Sequence, residues 1–188
     1  MTNNINKRSE KKKQTIEEIK DAFLCILNKK EYISITITDI CKEAHISRGT
    51  FYSYFKNTRE IVDELFDDAL KNVGNVPLDN ICCKEMGKSY PLCCFLRENK
   101  KYQPLFFSDS LYTLAIDRAV ERQKDRFLNC MQEKISLEKE MLEDILHFQI
   151  TGCMSVCKRR LKMNDEKWDS HRCNIDNFVK GGLDRLKD

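Results

Sequence analysis

An all-α fold is predicted by three observations. Pro and Gly are scarce, at three and six residues in 188, so a turn-rich β architecture would lack its punctuation. Lys, Glu, Leu, Ile and Asp dominate, and most of these are good helix formers. Apolar residues also recur at helical spacing near the N-terminus: Ile16, Ile19, Phe23, Ile26 and Leu27 fall on one stripe. With 41% hydrophobic residues the chain can bury a core, enough for one domain or two small ones.

The apolar stripe predicts a first helix over about 9–29, with Lys11, Lys12, Lys13, Glu17, Glu18, Lys20 and Asp21 on its solvated side. The next stretch alternates Tyr32, Ile33, Ile35 and Ile37 with Ser and Thr, which by period alone reads as a strand. Capping signals argue otherwise. Thr36 with Asp39 is a capping-box pattern, and Ile35 and Ile40 occupy the two positions of a hydrophobic staple around it. A second helix is therefore expected from Ile37, burying Ile37, Ile40, Cys41 and Ala44.

The same grammar repeats after a short connection. Ser47 can cap a third helix over about 48–54, stapled by Ile46 and Phe51. Phe51 and Phe55, four residues apart, point inward and leave Arg48, Gly49, Thr50, Tyr52, Ser53 and Tyr54 outward. That outward set is small, hydroxyl-rich and free of acid, as contact with phosphates and base edges requires. Two short helices joined this closely form a helix-turn-helix. Asn57 and Glu60 signal a fourth helix through Val73, stopped by Gly74. Residues 72–77 resemble a linker, so domains are expected at 1–75 and 76–188.

Downstream, residues 78–100 lack clean helical phase, Pro91 separates two short helices, and Leu92, Phe95 and Leu96 face inward. An apolar cluster, Pro104 to Phe107, precedes a long helix over about 109–134 whose middle, Asp117 to Arg126, is heavily charged. Between Glu138 and Lys162 apolar or small residues surround the helix from Ile145 to Cys157. A helix apolar on every side must be covered on every side, and a second subunit is the natural cover. His171 to Leu186 supplies a last helix.

Residues 36–44, TITDICKEA, and 46–55, ISRGTFYSYF, closely resemble the DNA-binding domain of the TetR family of bacterial transcriptional repressors, over about residues 10–65. Two departures stand out. His45 replaces the turn glycine, and Thr58 replaces a lysine that faces phosphate in relatives, a role open to Lys56 or Arg59. The resemblance implies a homodimer on palindromic operator DNA, with Thr36, Thr38, Ser47, Arg48, Gly49, Thr50, Tyr52, Ser53, Tyr54, Lys56 and Arg59 at the DNA. It implies a four-helix dimer bundle from the last two helices, with Ile150, Gly152, Cys153, Met154, Cys157, Phe178 and Leu183 at the interface. It also implies a cavity for an apolar inducer, lined by Phe95, Phe106, Phe107, Tyr112, Phe127 and Phe148. Repression by occluding a promoter is the expected mode, with the fourth helix as the lever.

Charge fits this reading. The net +3 conceals an excess at the front, where residues 1–60 hold 12 Lys/Arg against 8 Asp/Glu. No apolar run approaches the roughly 20 residues that span a bilayer, and the N-terminus has no signal-peptide core. A cytoplasmic protein without membrane contact is expected, in which most of the ten cysteines act as small buried hydrophobes. Cys82–Cys83, Cys93–Cys94 and the Cys153, Cys157 pair leave open a metal- or redox-sensing regulator. No phosphate-cradling glycine loop, nucleophile elbow or paired carboxylates point to an enzyme, so no catalytic residue, cofactor or bound metal is assigned. His45, His147 and His171 have no partner at metal-binding spacing. An adaptor that kept the fold without binding DNA is the alternative, favoured by His45 and Thr58.

Overall fold

The computed structural model describes residues 2–73 and 92–186, and all regular structure among them is helical. In chain order the helices are α1 (Thr2–Leu27), α2 (Ile37–Glu43), α3 (Arg48–Tyr52), α4 (Thr58–Asn72), α5 (Leu92–Glu98), α6 (Gln103–Phe107), α7 (Tyr112–Gln132), α8 (Lys139–Arg160) and α9 (Asp165–Asp184). Helix α1 begins seven residues before the expected start, and α7 begins at Tyr112 rather than 109. Gly74, Pro77, Cys82, Cys83 and Pro91 lie outside the described residues.

The chain folds as two compact units. One is Met1–Asp68 with Lys101–Tyr112; the other is Ala69–Lys100 with Thr113–Asp188. By packing, the two units meet within α4, and residues 101–112 group with the first unit. The reason is visible in the contacts. Phe106 of α6 sits edge-on to Phe66 of α4 with ring centroids 5.1 Å apart, and both are fully buried. Ser110 Oγ donates to Glu31 at 2.7 Å and accepts from the Tyr32 backbone N–H at 3.2 Å, while Lys101 pairs with Asp21 at 3.2 Å.

In the first unit Ile19, Phe23, Ile26 and Leu27 form the buried stripe of α1 as expected. Lys20 does not stay on the solvated side. It is buried and reaches Asp68 at 2.6 Å, Glu64 at 3.0 Å and Glu17 at 3.4 Å, fastening α1 to α4. Burial favours the neutral amine, yet the bonds to Asp68 and Glu64 outweigh it and hold the ammonium charged. The strand-like stretch is a 3-10 turn, Tyr32–Ser34, followed by extended Ile35 and Thr36.

In the second unit, Leu92, Phe95 and Leu96 are buried as expected, with Phe127, Leu128 and Met131 of α7. The charged middle of α7 is tied to α8 through Lys124 and Glu143 at 2.9 Å. Arg97 closes the end of α8. Its guanidinium donates to the Arg160 and Leu161 carbonyls at 3.3 Å each, to the Met163 carbonyl at 2.9 Å and to Asp165 at 2.8 Å, and lies 4.7 Å from the Trp168 ring centre. A cation there satisfies carbonyls that the helix itself leaves unpaired.

Helix α8 is not covered all round. Leu142, Leu146, Ile150, Met154 and Cys157 are buried within the unit, while Phe148 is 76% exposed. On α9 the inward stripe contains a buried ion pair, Arg172 with Asp176 at 3.8 Å. Burial is the main influence on Asp176, and it lifts the carboxyl to about 7 despite Arg172. An acid raised this way binds its proton more tightly folded than unfolded. Stability should fall as pH rises from near 3.8 to about 7, then level off. The full shift corresponds to a fall of roughly 4 kcal/mol as an upper bound, and Asp176→Asn should flatten it in urea titrations at successive pH values.

Candidate nucleic-acid interface

Each expected cap is present as a hydrogen bond. Thr36 Oγ1 accepts from the Asp39 backbone N–H at 3.2 Å, and Asp39 accepts from the Thr36 backbone N–H at 2.9 Å and its hydroxyl at 2.6 Å. Lys30 joins the same carboxylate at 2.7 Å, and Lys30 with Thr36 holds Asp39 well below the usual carboxylate range. Ser47 Oγ accepts from the Thr50 N–H at 3.0 Å. Asn57 accepts from the Glu60 N–H at 3.0 Å, while Glu60 reaches back to the Lys56 N–H at 2.8 Å. A cap of this kind is worth about 1 kcal/mol, so together they fix where α2, α3 and α4 begin.

His45 is the one non-glycine residue at positive φ among the described residues, at 54°. The turn it makes is complete. The Ile46 N–H reaches the Cys41 carbonyl at 3.0 Å and the His45 N–H reaches that of Lys42 at 3.3 Å, the paired bonds of a Schellman ending to α2. His45 therefore replaces glycine without loss of the turn, at the cost of a left-handed backbone that glycine adopts more easily.

With its start and turn fixed, α3 has two distinct faces. Phe51 and Phe55 are buried, their ring centroids 6.1 Å apart. Arg48, Gly49, Tyr52 and Ser53 are exposed, and Thr50 and Tyr54 are half-buried. Thr50 Oγ1 lies 2.9 Å from Ser47 Oγ, and Ser53 Oγ donates to the Gly49 carbonyl at 2.9 Å, so both hydroxyls are held in place. The Arg48 guanidinium reaches the Tyr52 side chain one turn on.

Around this face, Thr36 and Thr38 at the start of α2 are exposed, Thr36 with its hydroxyl engaged in the cap. Lys56 is largely exposed and 3.9 Å from Glu60, and Arg59 pairs with Asp63 at 3.3 Å. Thr58 opens α4 between them. Lys11, Lys12 and Lys13 are exposed on α1. Sequence reasoning missed the Lys30 tie to Asp39, because the pair lies nine positions apart across the connection from α1 to α2.

The residues of the other expected sets are placed as follows. Of the aromatics expected around a cavity, Phe106, Phe107 and Tyr112 belong to the first unit and Phe95 and Phe127 to the core of the second, while Phe148 faces solvent. Of the expected interface residues, Ile150, Met154, Cys157 and Leu183 are buried within the single chain, since they form the inward stripes of α8 and α9; Gly152 and Phe178 are exposed, and Cys153 is half-buried. Among the described residues, no group of three or more His, Cys, Asp or Glu side chains could hold a metal ion, and no helix is long and apolar enough to cross a membrane.

Residues 26–65, which contain α2, α3 and the start of α4, match the family described as bacterial regulatory proteins, tetR family. The likeness covers α2 and α3. The chain is also similar to the Bacillus subtilis (strain 168) protein named uncharacterized HTH-type transcriptional regulator YxbF, with 27% identity over 62 residues. That stretch is 33% of this chain and 16% of the relative, so the chain spans only a small part of the relative's length in the match. Its all-helical fold is similar to that of the dihydroxyacetone kinase operon activator DhaS, with a TM-score of 0.59, 18% identity and coverage of 93% and 98% of the two chains.

Proposed function

We propose that this chain is a transcriptional regulator that docks α3 in the major groove of operator DNA and works as a homodimer on a palindromic site. The observation that carries the reading is the outward face of α3. Arg48, Gly49, Thr50, Tyr52 and Ser53 offer donors and acceptors without a carboxylate, on a helix whose start and turn are pinned by hydrogen bonds. Gly49 supports it independently. A Cβ there would meet Ser47 Oγ at an ordinary 3.7 Å, so the fold has no need of glycine at this position. A bare backbone on the exposed face suits close approach of a phosphate, although glycine costs a helix about 0.5–1 kcal/mol.

Lys56 and Arg59 stand on either side of Thr58 and supply the backbone contact that Thr58 cannot. A dimer would set two α3 helices about one DNA turn apart, roughly 34–36 Å, which is why a palindrome is the proposed site. Regulation by a ligand requires that it bind one conformer better than the other. The proposed mode is repression by occluding a promoter. DhaS is named an operon activator, so the sign needs its own test: a promoter overlapping the operator should lose transcription when the chain is supplied, and a gain would reverse the assignment.

Operator recovered from sheared genomic DNA should be bound with a log–log salt slope on the order of −0.9 per phosphate neutralised. Tyr52→Ala should weaken binding by about 1–3 kcal/mol while leaving helix content unchanged. Salt-independent binding, or full affinity in Tyr52→Ala, would favour an adaptor protein instead.

A further inference from the structure

Two pairs of cysteines that are far apart in sequence converge inside the second unit. Cys93 and Cys94 lie on α5, and Cys153 and Cys157 lie one turn apart on α8. The two helices pack together, and the Cys157 Sγ is 3.9 Å from the Cys93 carbonyl oxygen. Cys93 is hydrogen-bonded to Cys94, with Cys157 and Cys153 close enough to act on it electrostatically. Cys157 is buried and the other three are half-buried. We propose that this cluster is a binding site for a soft monovalent metal ion, Cu(I), held in two-coordinate thiolate geometry between Cys157 and the adjacent Cys93–Cys94 pair.

The chemistry of the donors selects the ion. Thiolates prefer soft metals, and harder divalent ions want carboxylate or imidazole oxygen and nitrogen. A tetrahedral zinc site needs more ligands, and no group of three or more is spaced for a metal among the described residues. Two sulfur ligands suffice for Cu(I). Binding is written Cu⁺ + 2 R–SH → [Cu(SR)₂]⁻ + 2 H⁺: two S–H bonds are lost, two Cu–S bonds form, both protons leave to solvent and no electron moves. The product carries one negative charge, and the guanidinium of Arg97 lies beside Cys157 to offset it.

The same surroundings disfavour a disulfide switch. The bond with Cys94 and burial hold the Cys93 proton on, and burial pushes Cys153 up to about 11 and Cys157 up to about 12. Attack on an oxidant needs the thiolate, which such groups scarcely populate at neutral pH. A metal ion displaces the proton directly.

The test uses the full, reduced chain under anaerobic conditions, titrated with Cu(I) against a chromogenic chelator. One Cu(I) per chain should be retained, with X-ray absorption showing sulfur neighbours alone. Cys157→Ser should lower affinity on the order of 100-fold or more. The double variant Cys93→Ser/Cys94→Ser should do the same, and it stands in if loss of the buried Cys157 thiol disturbs folding, as checked by helix content. Cys25→Ser, Cys41→Ser and Cys130→Ser should bind as the parent does. Failure to hold Cu(I) against the chelator overturns the site. So does binding that survives in Cys157→Ser and Cys93→Ser/Cys94→Ser but disappears in Cys82→Ser/Cys83→Ser. Because this measurement involves no DNA, its failure leaves the regulator reading untouched.

Discussion

Phe51→Ala should abolish operator binding, and it should do so by loosening α3 rather than by removing a DNA contact. Phe51 is fully buried with its ring tilted against Phe55, and truncating a core phenylalanine costs about 3–5 kcal/mol. Helix α3 has five residues, too few to persist without its packing. The Ser47 cap offsets little of that loss. Amide hydrogen exchange should show α2 and α3 opening far more often in Phe51→Ala, with affinity for operator falling in step. Tyr52→Ala, one residue away and half-exposed with its ring edge-on to Phe51 at 5.6 Å, should raise exchange far less and act mainly on affinity. Equal exchange protection in the two variants would sink the division of α3 into a packing face and a reading face.

That division was legible in the sequence because its determinants are local. A capping box spans four residues, a staple spans six, and a Schellman ending needs one residue at positive φ. Thr36, Ser47, Asn57 and His45 each carry their signal within one helical turn, so periodicity and polar spacing were sufficient. Lys20 shows the limit of such reasoning. Its neighbours in sequence place it among solvated charges, but its carboxylate partners Glu64 and Asp68 arrive from α4, more than forty residues later. The inclusion of Lys101–Tyr112 in the first unit was hidden for the same reason, since it rests on Phe106 meeting Phe66 and Ser110 meeting Glu31. Convergence of Cys93 with Cys157 likewise depends on how α5 packs on α8. In α8 the composition was read correctly as apolar all round, but composition cannot say which apolar residues the chain buries for itself. Burial divides them: Leu146, Ile150, Met154 and Cys157 face the core, and Phe148 is left outside.

The exposed remainder motivates the other large effect, on assembly. Phe148 on α8 and Phe178 on α9 are 76% and 75% exposed, and Met141 adds a third apolar side chain on α8. Gly152, Gly181 and Gly182 have nothing within 4 Å of where a Cβ would stand, so the chain itself does not require them to be small. Large apolar groups left in water beside bare helix backbone fit a helix–helix interface with a second copy. Burying one phenylalanine contributes about 1.5–3 kcal/mol, so two from each protomer supply on the order of 6–12 kcal/mol toward a dimer. The double variant Phe148→Glu/Phe178→Glu should therefore sediment as a monomer at micromolar concentration while keeping its helix content. With only one α3 per particle it should also lose operator affinity by on the order of 100-fold or more, because half of the palindrome goes unread. Ile33→Glu is the matching control: Ile33 is equally exposed but lies in the head, and a charge there should leave sedimentation unchanged. A dimer that persists in the double variant would place the interface elsewhere, and a parent chain that sediments as a monomer would remove the palindrome from the proposed function altogether.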